Sequence, residues 1–322
     1  MGQLVALWFV SIVVVMFVLQ SPGPSSLIGF PASFGDIPAP PPIAVPVETH
    51  VSTPLAPVWI GTDLERISPR ITGPRTSKPH LRGLLTIPIG KKSASLVNDT
   101  IHNFLDTNSG RIMLFAYDSF DWSSQSWYSD ERIILVRHLK QMKWWFVKRF
   151  VTPLTVEAYD YIWLSDDDAQ FSWNPNEYMD LVDKFHVELS QPSHSGVSPC
   201  SPSPWAVTHQ RSPQNGGGDN GRWVDFVECG PLLVVHRELW KRCLWNFVQD
   251  DLSSGWGLDE MWYHACNRPK TAVLDKLPMC HRAGRAASSS SIDVYDPARE
   301  LPVYKQRFPH IEKAAKTTLG TF

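Results

Sequence analysis

Three consecutive aspartates, Asp166, Asp167 and Asp168, closely follow the apolar run 161–164. That run is short and rich in residues that favour strands, so the sequence predicts a buried strand that ends at the aspartates. Neighbouring carboxylates repel one another and would lose hydration beside an apolar strand. A hard divalent cation removes both penalties, and alternate residues of an extended turn can share one ion. Asp166 and Asp168 are therefore candidate ligands of Mn²⁺ or Mg²⁺, with a solvated acidic turn as the alternative.

A second candidate group lies in the C-terminal half, where Gly255, Trp256 and Gly257 precede Asp259 and Glu260. Two glycines around a tryptophan allow a sharp turn whose backbone can approach a ligand closely. The indole ring offers a platform for a sugar ring, and either carboxylate could act as a general base. The alternative is that both acids occupy the first turn of a helix, where they interact favourably with its dipole.

The elements that would position these residues alternate along the chain. Strand patterns cover 84–90, 111–117, 133–136 and 161–164, and helical patterns cover 93–105, 140–149, 175–189 and 237–249. This alternation predicts an α/β fold with a mostly parallel sheet flanked by helices. Ligands of such folds bind at the carboxyl ends of the strands, which is where the aspartates lie.

Composition divides the 322 residues into three parts. Residues 1–20 are mostly apolar and uncharged, which predicts a signal-anchor transmembrane helix, with a cleaved signal peptide as the alternative. Residues 21–80 are rich in proline and predict an extended, semi-rigid stem. The folded domain is predicted over 81–322, with a long flexible loop at 192–221 and a C-terminal tail from about residue 285.

Charge and motif content exclude two classes of ligand. The net charge is -2, so no global field attracts nucleic acid, and we expect no nucleic-acid partner. Residues 216–221 fit the pattern G-x-G-x-x-G of dinucleotide-binding proteins. No strand pattern precedes this segment and no helix clearly follows it, so a flexible loop is the better interpretation.

The five cysteines are an odd number, which leaves at least one unpaired in an oxidising compartment. Cys243 and Cys266 lie on neighbouring predicted helices and form the first candidate disulfide. A zinc site built from His264, Cys266, Cys280 and His281 is an alternative, although the usual C-x₂-C spacing is absent. A lone histidine such as His281 is more often structural than a ligand.

Residues 81 to about 285 resemble the domain-of-unknown-function family 707, which is sometimes labelled lysine-ketoglutarate-reductase trans-splicing related. The matching segments are 85–90, 113–118, 143–150, 159–168, 190–192, 240–245, 249–252 and 255–259. The family usually carries Asp-Glu-Asp, so Asp167 departs at the middle position and the outer pair is intact. The reductase label carries no weight, because no dinucleotide motif supports it.

That family in turn looks like the GT-A glycosyltransferases, and the resemblance implies roles for individual residues. Asp166, Asp168 and His281 would hold Mn²⁺ or Mg²⁺ against the diphosphate of a nucleotide-sugar donor. Asp259 or Glu260 would deprotonate the hydroxyl of a glycan or glycoprotein acceptor.

The resemblance also implies a set of substrate-binding residues: Asp118, Lys148, Arg149, Gly255, Trp256 and Gly257. Lys143 could add a further phosphate contact. For each basic residue of this helix, a solvated surface position is the alternative.

We therefore expect a metal-dependent glycosyltransferase with a GT-A-like domain. The N-terminal helix would make it a single-pass type II membrane protein of the Golgi or another endomembrane, or a secreted protein if the segment is cleaved. The sequon Asn98-Asp99-Thr100 is consistent with lumenal exposure. The alternatives are a catalytically inactive GT-A-like carbohydrate-binding or scaffolding membrane protein, and a membrane-tethered oxidoreductase.

Overall fold

The computed structural model describes residues 83–249, 251–252, 254–282 and 297–322. The predicted anchor and the predicted stem lie outside these ranges. Within the ranges, every helix is too short or too polar to span a bilayer.

Four parallel strands form one half of the sheet. They are β1 (Gly83–Ile89), β2 (Gly110–Ala116), β3 (Ile133–Arg137) and β4 (Tyr161–Ser165), in the spatial order β3-β2-β1-β4. Helix α1 (Ala94–Asp106) connects β1 to β2, and helix α2 (Lys143–Phe150) connects β3 to β4. Parallel neighbours such as β1 and β2 need a crossover connection, and the helical periodicity of 93–105 correctly predicted this one.

The other half of the sheet is mainly antiparallel, and the predicted mostly parallel sheet is wrong: the sheet is mixed. Its strands are β6 (Leu189–His194), β7 (Arg222–Val224), β8 (Leu232–His236), β9 (Thr271–His281) and β10 (Thr318–Thr321), in the order β4-β8-β6-β9-β7-β10. Strand β8 is antiparallel to both β4 and β6, and only β6 and β9 pair in parallel. A short strand, β5 (Ala169–Gln170), pairs with β9 outside the main order. The reason lies in segment 195–221 between β6 and β7, which contains only two short 3₁₀ turns and no crossover helix. After it, β7 and then β8 run opposite to β6 and β9.

Helices cover both faces of the sheet and enclose two apolar cores. Besides α1 and α2 they are α3 (Pro175–Lys184), the composite helix α4 (237–247, with a π-helical middle), α5 (Leu258–Ala265) and α6 (Pro297–Arg307). One core contains Phe104 of α1 and Tyr178 of α3, and the other contains Trp144 of α2, Trp240 of α4 and Trp262 of α5. The result is an α/β architecture of three layers.

The long segment 195–221 contains two short 3₁₀ turns and is tied to the sheet by Arg222. The Arg222 guanidinium is fully buried and donates hydrogen bonds to the carbonyls of Val207 and His209. It also forms a two-point pair with Asp275, at 2.8 and 3.0 Å. Such a fork satisfies both buried charges and fixes the direction of the segment.

All five cysteines lie in the described ranges. The predicted Cys243–Cys266 disulfide is confirmed, and a second one joins Cys200 to Cys280, which leaves Cys229 free. The zinc alternative is wrong, because Cys266 and Cys280 are both consumed by disulfides.

Candidate functional site

A pocket of about 620 Å³ lies at the carboxyl end of β4. Its walls come from segments that are far apart in the chain: 141–144, 166–167, 204–205, 228–231, 254–260 and His281. The volume suits a small organic ligand.

Asp166 lines this pocket and comes directly after β4. Its amide donates to the carbonyl of Pro231 at 2.6 Å, and its carboxylate lies 2.5 Å from the ammonium of Lys143. A Cβ atom on Gly230 would come within 2.4 Å of the Asp166 carboxylate, so the glycine lets backbone and carboxylate approach. Burial raises the pKa of Asp166, although Lys143 opposes this.

Asp168 and His281 meet beside it, because β5 pairs with the end of β9. Asp168 is 2% exposed, and one of its carboxylate oxygens lies 3.4 Å from His281 Nε2. Burial would lower the pKa of His281, but the Asp168 carboxylate outweighs it, so the net shift is upward. The other oxygen of Asp168, Oδ1, is buried without a hydrogen-bond partner among the described residues.

Asp167 has a different environment from its two neighbours. Its carboxylate accepts hydrogen bonds from the hydroxyls of Ser93 and Tyr117, at 2.6 and 2.7 Å. Burial raises the pKa of Asp167 to about 7, although both hydroxyls oppose the shift. The middle aspartate therefore joins β4 to the turn after β1 and to the end of β2, whereas the outer pair lies near His281.

The donor types at this edge fit a divalent cation. Two carboxylates and one imidazole lie together, and Asp168 Oδ1 is an orphaned buried oxygen of the kind a hard cation would take. The side chains are not closed around a common point: among the described residues no three histidine, cysteine or acidic groups are arranged to hold a metal. Lys143 lies where it neutralises Asp166.

The predicted sharp turn around Gly255, Trp256 and Gly257 is present in the pocket wall. Gly255 and Gly257 have φ values of 76° and 102°, in the region that favours glycine. A Cβ atom on Gly255 would lie 2.3 Å from Trp144 Nε1, so the turn packs directly on helix α2. Trp256 lines the pocket and is 46% exposed, which leaves its ring available to a ligand.

Asp259 and Glu260 both lie in the first turn of α5 and both line the pocket. Burial raises the pKa of Asp259 to about 7, and the amide of Cys229 donates to its carboxylate at 3.4 Å. Burial would also raise the pKa of Glu260, but Lys313 and Lys316, at 2.6 and 3.1 Å, hold it below its usual range. Of these two acids, Asp259 is therefore the one that can exchange a proton near neutral pH.

Four of the six predicted substrate-binding residues do not line the pocket: Asp118, Lys148, Arg149 and Gly255, although Gly255 belongs to the turn that carries Trp256. Asp118 accepts hydrogen bonds from the amides of Lys91 and Phe120. Lys148 donates to the carbonyl of Trp245 and lies 3.9 Å from the centre of that ring. Arg149 lies 4.2 Å from the ring of Trp145.

The pocket also contains residues to which the sequence analysis gave no role. Glu228 accepts hydrogen bonds from the hydroxyls of Ser203 and Thr208, at 2.6 and 2.8 Å, and lies 3.0 Å from His194 Nε2. Cys229 follows it in the pocket wall. The available signal was a charged residue inside the apolar run 224–235, next to a Gly-Pro break.

Comparisons with known proteins give a family and distant structural likenesses. A family model described as "Protein of unknown function (DUF707)" matches residues 60–302. No curated protein matches the sequence significantly. Similar solved structures include TarS 1–349 of S. aureus (13% identity, 71% of this chain and 72% of that chain covered, TM-score 0.45). Glucosyl-3-phosphoglycerate synthase from Mycobacterium tuberculosis is similar at 12% identity, with 79% and 88% of the two chains covered and a TM-score of 0.39.

Proposed function

Because this chain belongs to the DUF707 family, whose description assigns no reaction, we propose its function from the pocket. We propose a glycosyltransferase of GT-A type that moves a sugar from a nucleotide-diphosphate sugar to a hydroxyl group of a glycan or glycoprotein. The observation that carries this proposal is the meeting of three features in one cavity: Asp259 with a pKa near 7, the exposed Trp256, and the carboxylates of Asp166 and Asp167 after β4.

On the acceptor side, Asp259 is the proposed general base. Its carboxylate takes the proton of the acceptor hydroxyl as that oxygen attacks the anomeric carbon of the donor. The bond between the anomeric carbon and the diphosphate breaks, and the diphosphate leaves with the bonding electrons. Trp256 provides the apolar face on which a sugar ring can stack, and Gly255 and Gly257 hold it at the rim.

On the donor side, Asp166, Asp168 and His281 are the proposed ligands of Mn²⁺ or Mg²⁺. When bound, such an ion supplies Lewis-acid stabilisation of the charge that develops on the leaving diphosphate. Asp168 Oδ1, buried and unpartnered among the described residues, supports this assignment.

The cellular location is also a proposal. Two disulfides favour an oxidising compartment, in line with the secretory pathway. With the predicted anchor at 1–20, we propose a type II membrane protein of the Golgi or another endomembrane.

The test is the release of nucleoside diphosphate from a panel of nucleotide sugars in the presence of Mn²⁺ and mixed glycan acceptors. We expect release with at least one donor, and a loss of roughly 100-fold or more in Asp259→Asn, since a general base contributes on that scale. Asp168→Asn should lose activity as well. The control is Glu238→Gln, an exposed acid that pairs with Arg237.

Two outcomes would contradict the proposal. Binding of sugars or nucleotides without release for any donor would favour the inactive carbohydrate-binding alternative. Saturable binding of a nicotinamide cofactor instead would favour the oxidoreductase.

A further inference from the structure

The charge of the pocket poses a problem for an anionic ligand. Five acidic residues line it: Asp166, Asp167, Glu228, Asp259 and Glu260. Among the described residues that line the pocket, Lys143 is the only lysine or arginine. A diphosphate that enters this cavity would be repelled by the carboxylates unless a cation lies between them and the phosphate oxygens.

Lys143 is placed where such a cation is needed. Its side chain is only 9% exposed, and its ammonium lies 2.5 Å from the Asp166 carboxylate. The same ammonium donates to the carbonyl of Cys229 at 2.8 Å. An ammonium has three N–H donors, and two of them are used by Asp166 and the Cys229 carbonyl. The ammonium also lies 5.3 Å from the centre of the Trp144 ring, which takes no hydrogen bond from it. One donor therefore remains for a ligand in the pocket.

The backbone around Lys143 adds to the positive potential. Lys143 is the first residue of α2, and Gln141, Met142 and Trp144 line the pocket with it. The N-terminal end of a helix carries a partial positive charge. No side-chain cap occupies this end at Met142.

Lys148 lies on the same helix as Lys143, yet only Lys143 lines the pocket. The Lys148 ammonium instead donates to the carbonyl of Trp245. The two lysines therefore form a matched pair for experiment.

We infer that the Lys143 ammonium binds the diphosphate group of the nucleotide while it stays paired with Asp166. The cavity then has its own phosphate-binding cation, and a nucleoside diphosphate binds it even without a divalent metal. The choice of a nucleoside diphosphate as the ligand rests on the proposed function. The inference adds Lys143 as a phosphate-binding residue beside the proposed metal ligands Asp166, Asp168 and His281.

The test measures binding of UDP and GDP by calorimetry, in EDTA and separately in Mn²⁺. We expect the unmodified chain to bind at least one of them in EDTA. Lys143→Met should weaken that binding by about tenfold or more, the scale of a lost charge-assisted hydrogen bond. Lys143→Arg should retain part of it, and Lys148→Met should bind as the unmodified chain does.

Removal of Lys143 leaves the half-buried Asp166 carboxylate without its partner, so the single variant could be destabilised. The double variant Lys143→Met/Asp166→Asn removes both charges and keeps the test valid in EDTA.

If this folded double variant binds the nucleotide in EDTA as tightly as the unmodified chain, the inference is wrong. It is also wrong if nucleotide binding requires Mn²⁺ and is unchanged by Lys143→Met, an outcome that leaves the glycosyltransferase proposal intact. Failure to bind any nucleoside diphosphate under either condition would overturn both.

Discussion

Asp259 and Glu260 are neighbours in the chain, yet their surroundings shift their pKa values in opposite directions. Asp259 lies half-buried beside Cys229, and burial raises its pKa to about 7. Glu260 has Lys313 and Lys316 around its carboxylate, and its pKa lies below the usual range. Because their pKa values differ, Asp259 can exchange a proton near neutral pH, whereas Glu260 stays ionised in its ion pairs.

The raised pKa of Asp259 predicts a pH-dependent stability that can be measured without a substrate. Between the ordinary value of 3.8 and about 7, the folded chain holds a proton at Asp259 that the unfolded chain has lost. The stability of the unmodified chain therefore falls relative to Asp259→Asn as pH rises through this window. We expect the difference in melting temperature between Asp259→Asn and the unmodified chain to grow from pH 5 to pH 8. A difference that does not change with pH would contradict the shift.

At the scale of elements, the turn at 254–257 joins helices that come from distant parts of the chain. Gly255 packs on Trp144 of α2, and a Cβ atom on Gly257 would lie 2.8 Å from Leu301 of α6. The Glu300 carboxylate of α6 accepts a hydrogen bond from the amide of Ser254 at 3.1 Å. The orientation of Trp256 therefore depends on how closely these elements approach one another.

Two glycine substitutions separate backbone strain from packing at this turn. Gly255 and Gly216 have nearly equal φ values, 76° and 77°. Alanine at either position costs roughly 1 kcal/mol for the left-handed backbone. At Gly255 the new Cβ would also meet Trp144, whereas nothing lies within 4 Å of it at Gly216. In urea unfolding we expect Gly255→Ala to destabilise the protein clearly more than Gly216→Ala, and equal losses would show that the turn does not pack as described.

At the scale of the whole molecule, the last fifteen residues belong to the fold although the family match ends at residue 302. Strand β10 pairs with β7, and the amides of Ala315 and Thr317 donate to the carboxylate of Asp225 at 2.8 and 2.6 Å. The ring of Phe322 lies 4.5 Å from the ring of Trp223. The segment that the sequence analysis treated as part of a tail thus completes the edge of the sheet.

Removal of residues 308–322 should therefore destabilise the domain. We expect a loss of at least about 2 kcal/mol, since several backbone hydrogen bonds, each contributing about 1 kcal/mol, disappear together. Thermal unfolding of the truncated and the full chain measures this loss of stability. Glu260→Gln serves as a control that removes only the ion pairs of Lys313 and Lys316. An unchanged melting temperature after truncation would mean that this segment does not contribute to the domain.

The sequence by itself determined the features that depend on local pattern. A short apolar run predicted the strand before Asp166, and helical spacing predicted the crossover helices of the parallel half. The helix that carries Asp259 was the alternative interpretation, from two acids placed as in a first helical turn. Two glycines with a tryptophan between them predicted the turn, and neighbouring helices predicted the Cys243–Cys266 disulfide. These features follow from the conformational preferences of adjacent residues, which a single chain displays directly.

Only the tertiary structure decided which residues face one another. The direction of β8, the pairing of Lys143 with Asp166, the two lysines around Glu260 and the place of Glu228 in the pocket all depend on contacts between distant segments. Strand direction follows from how a connection returns, and a pKa follows from which charges and how much protein surround a group. The spacing of residues along the chain predicts neither strand direction nor pKa, because both depend on how distant segments pack together.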